Sequence, residues 1–277
     1  MKLPSDVIKK TGPKPGPAVA VFAGVHGNER AGQLALEALA ETLSPIAGTV
    51  FLVKANPPAI ERNVRLVNAN LNRLFSRRAT PPPTYEGARA TELMDLLDRC
   101  DALLDLHSYP ETAAPDAAEP FAICEPDCRP LVAGFDVGTV VGGFAAFEDG
   151  GSDGYMHGNG KIGVCVELGA IERTEKFVDL GIDTARRFLS HFGCLPPAPP
   201  LLPRPQRHLR LTAFHKKTAP DFRLARPFRN LEPICAGEEI AAENGRRLVA
   251  ERDGFIIFPN DTRPVGVEAF LLAAEAT

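Results

Sequence analysis

Short apolar runs typical of buried β-strands alternate with amphipathic helical segments through the first two-thirds of the chain, and this alternation restricts the fold more than any other feature. The runs predicted as strands are Ala18–Ala23, Thr49–Lys54, Ala102–Leu106, Phe121–Cys124, Thr139–Gly143 and Gly163–Glu167. The segments predicted as helices are Arg30–Leu43, Ala88–Cys100 and Thr174–Phe192. Continuously apolar strands are typical of sheets that are buried on both faces. The pattern therefore predicts an α/β fold with a mixed, mostly parallel sheet and helices on both faces.

A proline-rich segment ends this pattern. Leu195–Gln206 contains six prolines among its twelve residues, so it can form neither a helix nor a central strand. Shorter strand patterns follow it, separated by turn signals such as Asn244-Gly245. We expect an α/β domain over 1–195, a linker over 196–206 and a small all-β domain over 207–277.

The overall composition excludes several classes of protein. The 277 residues carry a formal net charge of −4, which gives no support for nucleic-acid binding. No apolar run reaches about 18 residues, so the sequence predicts no membrane span. The N-terminal residues lack the apolar core of a secretory signal, and the six cysteines are too dispersed for a disulfide framework. We therefore expect a cytoplasmic protein.

Candidate metal ligands follow two of the predicted strands. In VFAGVHGNERAG, His26 and Glu29 lie three residues apart on a turn that enters a helix, so their side chains can point at one centre. His107 follows the apolar run of LLDLHS. Two imidazoles and one carboxylate leave a fourth position for water, which is the pattern of a catalytic zinc site. Asp105 is either an ordinary strand-end acid or the partner that orients His107.

A loop rich in asparagine and arginine follows the second strand. The proline after Asn56 favours an extended exit from that strand. Guanidinium groups bind carboxylates through two parallel hydrogen bonds, so the loop predicts a site for a carboxylate substrate. Arg77 and Arg78 are interpreted as a solvated basic segment, unlike Arg65 and Arg73. The polar side chains of the loop are Arg62, Arg65, Asn68, Asn70, Asn72 and Arg73.

Glu167 lies within the apolar strand of IGVCVELGA. A carboxylate at such a position is costly unless it is paired or faces a polar cleft. A salt-bridged strand-end glutamate is the structural alternative. Beside a metal-activated water, Glu167 would act as a general base and then deliver the proton to the leaving amine.

Four motifs together resemble the aspartoacylase and succinylglutamate desuccinylase family, a branch of the zinc-carboxypeptidase fold. GVHGNE, NPPAIERNVRLVNANLNRLF, LDLHS and VCVELG follow one another in the order and approximate spacing of that family. The resemblance implies that His26, Glu29 and His107 bind one zinc ion and that Glu167 is the catalytic glutamate.

The same resemblance implies roles for the loop between these motifs. Arg65 matches the arginine that stabilises the oxyanion, and Asn72 and Arg73 match the pair that binds the carboxylate of the amino-acid half. Enzymes of the family hydrolyse an N-acyl amino acid to a carboxylate and an amino acid.

The sequence departs from the family pattern at three points. The usual DLNR is NLNR here, so Asn70 stands in place of an aspartate. The replacement loosens the support of Arg73 unless another acid supplies that support. His157 occupies the place of the arginine that binds a second carboxylate in aspartoacylases, so it is the candidate for that role. The C-terminal tyrosine of aspartoacylases has no counterpart in VGVEAFLLAA.

The resulting hypothesis is a zinc hydrolase domain over 1–195, with the 207–277 domain capping or bordering its cleft. It would hydrolyse the amide bond of a small N-acyl amino acid, using water on the zinc activated by Glu167. The alternatives are a carboxypeptidase-type metallopeptidase and a non-catalytic binding protein on the same scaffold. The acyl group, the amino acid, the metal loaded in the cell and the oligomeric state stay open.

Overall fold

The structure is a computed structural model that describes residues 6–110, 119–147, 149–201 and 205–276, so residues 202–204 of the predicted linker lie outside it. Its strands are β1 (Val7–Thr11), β2 (Lys14–Ala23), β3 (Ala47–Lys54), β4 (Ala102–Tyr109), β5 (Phe121–Ile123), β6 (Thr139–Gly142), β7 (Ile162–Ala170), β8 (Arg207–Lys216), β9 (Arg223–Leu224), β10 (Glu232–Ile234), β11 (Glu239–Glu243), β12 (Arg246–Val249), β13 (Gly254–Ile257) and β14 (Glu268–Glu275). Its helices are α1 (Arg30–Thr42), α2 (Pro57–Arg62), α3 (Tyr85–Leu97), α4 (Arg129–Val132), α5 (Ser152–Gly158) and α6 (Thr174–His191).

Within the described residues, eleven strands form one mixed sheet in the order β1-β3-β2-β4-β7-β5-β6-β8-β14-β13-β10. From β3 to β8 the neighbouring strands run parallel, except that β5 is antiparallel to β7. The two outer parts, β1 and the strands beyond β8, are antiparallel to their neighbours. The predicted α/β fold with a mixed, mostly parallel sheet is confirmed.

Alternate residues of the central strands face two separate hydrophobic cores. Val19 and Val21 of β2 lie in one core with α1 and α6, whereas Ala20 and Phe22 lie in the other core with α3. Successive side chains of a strand point to opposite faces, so a strand covered by helices on both sides is apolar at every position. This burial explains the continuous apolar runs in the sequence.

The C-terminal segment consists of strands, as predicted, but four of them extend the main sheet. β8 pairs in parallel with β6, and β14, β13 and β10 follow it. In the same described part of the chain, β9, β11 and β12 form a separate three-stranded antiparallel sheet. The division of the chain into two domains stays a prediction.

Three short helices, α2, α4 and α5, are absent from the sequence predictions. The segment after Asn56 is not extended, because α2 begins at Pro57. Asn56 itself is the non-helical cap residue of this helix. Proline is accommodated in the first turn of a helix, where its missing N–H is not needed. α5 begins at Ser152, where neighbouring glycines weaken the helical pattern. In the part of the chain that the structure describes, no helix has the length and apolar character needed to cross a membrane.

Candidate metal centre and active-site cleft

Three neighbouring parallel strands place the candidate residues at one edge of the sheet. β2, β4 and β7 are adjacent, and their carboxyl ends meet at this edge. His26 follows β2, His107 lies near the end of β4, and Glu167 is the residue of β7 paired with His107. The carboxyl ends of parallel strands are where open α/β sheets form ligand sites.

His26, Glu29 and His107 form a buried cluster at this edge. Nδ1 of His26 lies 2.7 Å from Oε1 of Glu29, and Nδ1 of His107 lies 2.9 Å from Oε2 of the same carboxylate. The possible ligand atoms of the three side chains all lie within 4.8 Å of one another. The structure thus brings together the three residues predicted as metal ligands.

The second ring nitrogen of each histidine lies against an oxygen acceptor. Nε2 of His26 lies 3.0 Å from Oδ1 of Asn70. Nε2 of His107 lies 3.2 Å from Oδ2 of the fully buried Asp105, although the ring is not aligned for a hydrogen bond. Ser152 Oγ donates a hydrogen bond to the same Asp105 oxygen. Oxygen partners of this kind orient metal-binding imidazoles, so the surroundings of both histidines fit a metal site.

The electrostatics of the cluster also fit a cation. Burial raises the pKa of Glu29, but the two imidazoles outweigh it and hold that pKa well below its ordinary value. Burial and the nearby Arg65 guanidinium lower the pKa of His26 to about 4. Burial also lowers the pKa of His107, but Asp105 and Glu29 outweigh it and hold that pKa well above its ordinary value. The carboxylates around His107 therefore favour a proton on its imidazole, and a divalent ion bound by this cluster would displace that proton.

Glu167 is a buried carboxylate beside this cluster. Its Oε2 atom has no hydrogen-bond partner among the described residues, and the residue is only 8% exposed. Burial, together with the negative charge of Glu29, raises the pKa of Glu167 to about 8, although His107 and Arg65 act in the opposite direction. Among the described residues Glu167 forms no salt bridge, which argues against the salt-bridged strand-end glutamate considered above.

The arginine loop borders the same cleft. Arg65 places Nη1 at 3.3 Å from Oε1 of Glu29, and its side chain is 37% exposed. Asn72 and Arg73 lie in a 3-10 turn that Asn70 caps by accepting a hydrogen bond from the Asn72 N–H. The cleft that contains His26, Glu29 and His107 is also lined by the side chains predicted as substrate-binding or catalytic. These are Arg65, Asn72, Arg73, His157 and Glu167.

Comparison with known families agrees with this geometry. The family model described as the succinylglutamate desuccinylase/aspartoacylase catalytic domain matches residues 15–192. The chain belongs to this family. The matched range contains the cluster of His26, Glu29 and His107, the arginine loop and Glu167.

Individual relatives and solved structures give a similar result. Succinylglutamate desuccinylases from Yersinia enterocolitica and Pseudomonas aeruginosa are 35% and 42% identical to this chain over 83 residues, which is 28% of this chain and 25% of each relative. The Vibrio cholerae enzyme of the same name is 25% identical over 93% of this chain and 80% of its own. Solved succinylglutamate desuccinylase structures from Vibrio parahaemolyticus and Vibrio cholerae, each 20% identical, superpose with TM-scores of 0.82 and 0.83. They cover 98% of this chain and 86% and 85% of their own chains, and they support the fold.

Asn70 stands where the family motif has an aspartate, and a different acidic residue lies beside Arg73. Asn70 contacts His26 and caps the turn that carries Arg73, so it does not supply a carboxylate. Nη2 of Arg73 instead lies 3.5 Å from Oε1 of Glu268 on β14, and Arg263 bonds to the same oxygen at 2.5 Å. Another acid does support Arg73, and it comes from the C-terminal segment.

Arg263 and Glu268 line the cleft but are not among the site residues predicted from the sequence. Glu268 carries the signal that singled out Glu167, a lone carboxylate next to an apolar strand. Nothing local in the sequence indicates that β14 reaches the cleft. Asp153 was also missed, and it lines the cleft from α5 together with His157.

His157 lies at the rim of the cleft in this family member. Its side chain is 38% exposed, and its Nδ1 lies 3.7 Å from Oδ2 of Asp127. Arg77 is not among the described residues that line the cleft, and it pairs with Asp95 and Asp98, each at 2.7 Å. Arg77 thus behaves as a surface group, as the sequence interpretation expects.

In the metal-free protein, we expect Glu167 to make the free energy of unfolding fall as pH rises. Its pKa is raised from 4.5 to about 8, so the folded state binds this proton more tightly than the unfolded chain does. The stabilisation is complete below about pH 4.5 and is lost as the pH rises through about 8. Denaturant unfolding of the apoprotein between pH 5 and 8 should show wild type losing stability relative to Glu167→Gln. Parallel pH curves for the two proteins would contradict this prediction.

Proposed function

We propose that this chain is a zinc-dependent amidohydrolase that cleaves the amide bond of a small N-acyl amino acid. One observation carries the proposal: the buried cluster of His26, Glu29 and His107 shares a cleft with Glu167, whose Oε2 is buried without a partner among the described residues. Family membership supports the same reaction class. A buried carboxylate without a partner is destabilising, and a water or substrate group that donates a proton would give Glu167 that partner.

The two imidazoles and one carboxylate would hold a single zinc ion, because this donor set is typical of catalytic zinc with an open position. When bound, zinc lowers the pKa of a coordinated water and polarises the substrate carbonyl. Asp105 and Asn70 would keep the two rings oriented toward the ion.

Glu167 would move the proton of the reaction. As a carboxylate it accepts a proton from the attacking water, and as a carboxylic acid it returns that proton to the leaving amine nitrogen. Its raised pKa makes both forms accessible near neutral pH, because burial disfavours the charged form. The register pairing with His107 fixes the side chain beside the metal ligands.

Arg65 and the 3-10 turn would bind the substrate on either side of the scissile bond. The Arg65 guanidinium, next to Glu29, would donate hydrogen bonds to the carbonyl oxygen as its negative charge develops. Oδ1 of Asn72 already accepts from the Ser152 N–H at 3.3 Å, which leaves the amide Nδ2 donors for a substrate carboxylate. Arg73, held by Glu268, would bind the same carboxylate.

The experiment that tests the proposal is a hydrolysis screen with zinc supplied. N-acetyl, N-succinyl and N-formyl amino acids are compared with short peptides of the same C-terminal residues. Turnover of acyl amino acids at least tenfold above that of peptides supports the proposal. Preferred cleavage of peptides would instead support a metallopeptidase, and binding without any turnover would support a scaffold protein.

We expect Glu268→Gln to weaken substrate binding more than it slows turnover. The substitution removes the carboxylate that positions Arg73, so the substrate carboxylate loses an oriented partner while Glu167 and the metal ligands are unchanged. KM should rise about tenfold, with kcat reduced less than threefold, because a charge-assisted hydrogen bond contributes about 1.5–3 kcal/mol. Steady-state kinetics measure both constants. Glu275→Gln on the same strand, whose side chain is 68% exposed, is the matched control, and an equal effect in both variants would refute the role of Glu268.

A further inference from the structure

Asp153 is a charged residue of the cleft that the proposed chemistry does not use. It is the second residue of α5 and lines the cleft with His157, which lies one helical turn further on. Its carboxylate accepts a hydrogen bond from the backbone N–H of Gly154 and, among the described residues, pairs with no cationic side chain within ion-pair distance. A partly buried carboxylate without a counter-charge is costly, which makes Asp153 a candidate for ligand binding.

Hydrogen bonds and close packing fix the position of Asp153. The preceding residue, Ser152, donates its N–H to Asn72 and its hydroxyl to Asp105. The backbone of Asp153 packs against Gly163, where an added Cβ would lie 2.3 Å from the Asp153 carbonyl oxygen. Any larger residue at Gly163 would displace Asp153, so the start of α5 packs closely against β7.

Asp153 also lies next to the residue proposed to bind the substrate carboxylate. A Cβ added at Gly151 would lie 2.9 Å from Oδ1 of Asp153 and 3.9 Å from Oδ1 of Asn72, so the two side chains flank one point in the cleft. A substrate carboxylate on Asn72 and Arg73 would therefore place the side chain of the same amino acid toward α5.

The charges of the cleft are distributed unevenly. Among the described residues that line it, each arginine has an acidic partner: Arg65 contacts Glu29, and Arg73 and Arg263 contact Glu268. Around Asp153 the balance is different. Burial raises the pKa of Asp153, and the Asp105 carboxylate raises it further, although the His107 imidazole opposes this. The wall formed by α5 therefore presents an acid that lacks a positive partner.

We propose that Asp153 selects N-acyl amino acids whose side chain ends in an ammonium group, an inference that rests on the proposed function. The ammonium group would supply the cationic partner that the Asp153 carboxylate lacks among the described residues, and its N–H donors would add to the backbone N–H of Gly154. An acidic side chain is disfavoured at this wall, because its carboxylate would face the Asp153 carboxylate, whereas the basic His157 is 38% exposed at the rim of the cleft and lies near Asp127. The selected substrate class is thus N-acyl diamino acids rather than N-acyl dicarboxylic amino acids.

The test compares three substrates of similar size on the zinc-loaded enzyme. Nα-acetyl-L-ornithine carries the ammonium group, N-acetyl-L-norvaline lacks it, and N-acetyl-L-glutamate carries a carboxylate. We expect kcat/KM for the ornithine compound to exceed that for norvaline by about tenfold to 100-fold, with glutamate lowest. Asp153→Asn should reduce the ornithine preference to about threefold or less. Asp179→Asn, an exposed helical aspartate outside the cleft, is the matched control and should keep the full preference.

A second measurement needs no variant, which matters because Asp153 lies in the first turn of α5. Free L-ornithine should inhibit the wild-type enzyme at a concentration at least tenfold lower than L-norvaline. Equal inhibition, a preference for norvaline or glutamate, or an ornithine preference that survives Asp153→Asn would overturn the role of Asp153 while leaving amide hydrolysis intact. Failure to hydrolyse any acyl amino acid in the full screen would overturn the proposed function and this inference with it.

Discussion

We expect Glu167→Gln to lower kcat by about 10³-fold while the protein still binds one zinc ion per chain. Glutamine has the same shape as glutamate, but its amide cannot accept the proton of the attacking water or return a proton to the leaving nitrogen. The variant also removes a buried carboxylate whose pKa is raised to about 8, so we expect its apoprotein to be at least as stable as wild type at neutral pH. Loss of activity would then reflect chemistry rather than unfolding.

The measurements are kcat at saturating substrate, zinc content by elemental analysis and the unfolding midpoint. Glu175→Gln is the matched control, because Glu175 is an exposed glutamate in the first turn of α6, a few residues after β7. Near-normal turnover in Glu167→Gln would refute the general-base assignment. A variant that had lost its zinc would instead assign Glu167 to metal binding.

We expect His26→Ala to abolish tight zinc binding and, with it, amide hydrolysis. The substitution leaves Glu29 and His107 as the remaining protein ligands and removes the neutral imidazole, whose pKa of about 4 keeps it ready to bind a metal. Zinc affinity should fall by well over 100-fold, since even replacement of the groups that orient a ligand typically costs about 10–100-fold. The two-ligand site that remains cannot hold the ion in the presence of a competing chelator.

Zinc titration against a chromophoric chelator measures this loss directly, without reference to activity. His191→Ala is the matched control, because His191 is exposed at the end of α6 and takes no part in the cleft. Asp105→Asn should fall between the two, with zinc affinity about 10–100-fold weaker, because Asp105 contacts His107 and not the ion. Full zinc occupancy in His26→Ala would show that the ligand set is wrong.

The sequence by itself predicted the fold class and the residues that the metal centre needs. Strands buried on both faces must be apolar at every position, so β2, β4 and β7 are visible in the sequence as apolar runs. Polar residues that directly follow such runs are exceptions to a strong local pattern, and His26 and His107 stand out for that reason. The resemblance of four short motifs then linked these exceptions to one chemistry.

Only the tertiary structure decided which strands are neighbours and which distant residues enter the cleft. The contact between Arg73 and Glu268 joins positions 195 residues apart, and it exists because β8 pairs with β6 and brings β14 into the main sheet. Periodicity reports the face on which a residue is buried, but it carries no information about strand order. Asp153 was missed for a related reason, because the glycine-rich start of α5 hides the helix that presents it. The metal ligands could be inferred from local patterns, whereas the charges that select the substrate depend on long-range packing.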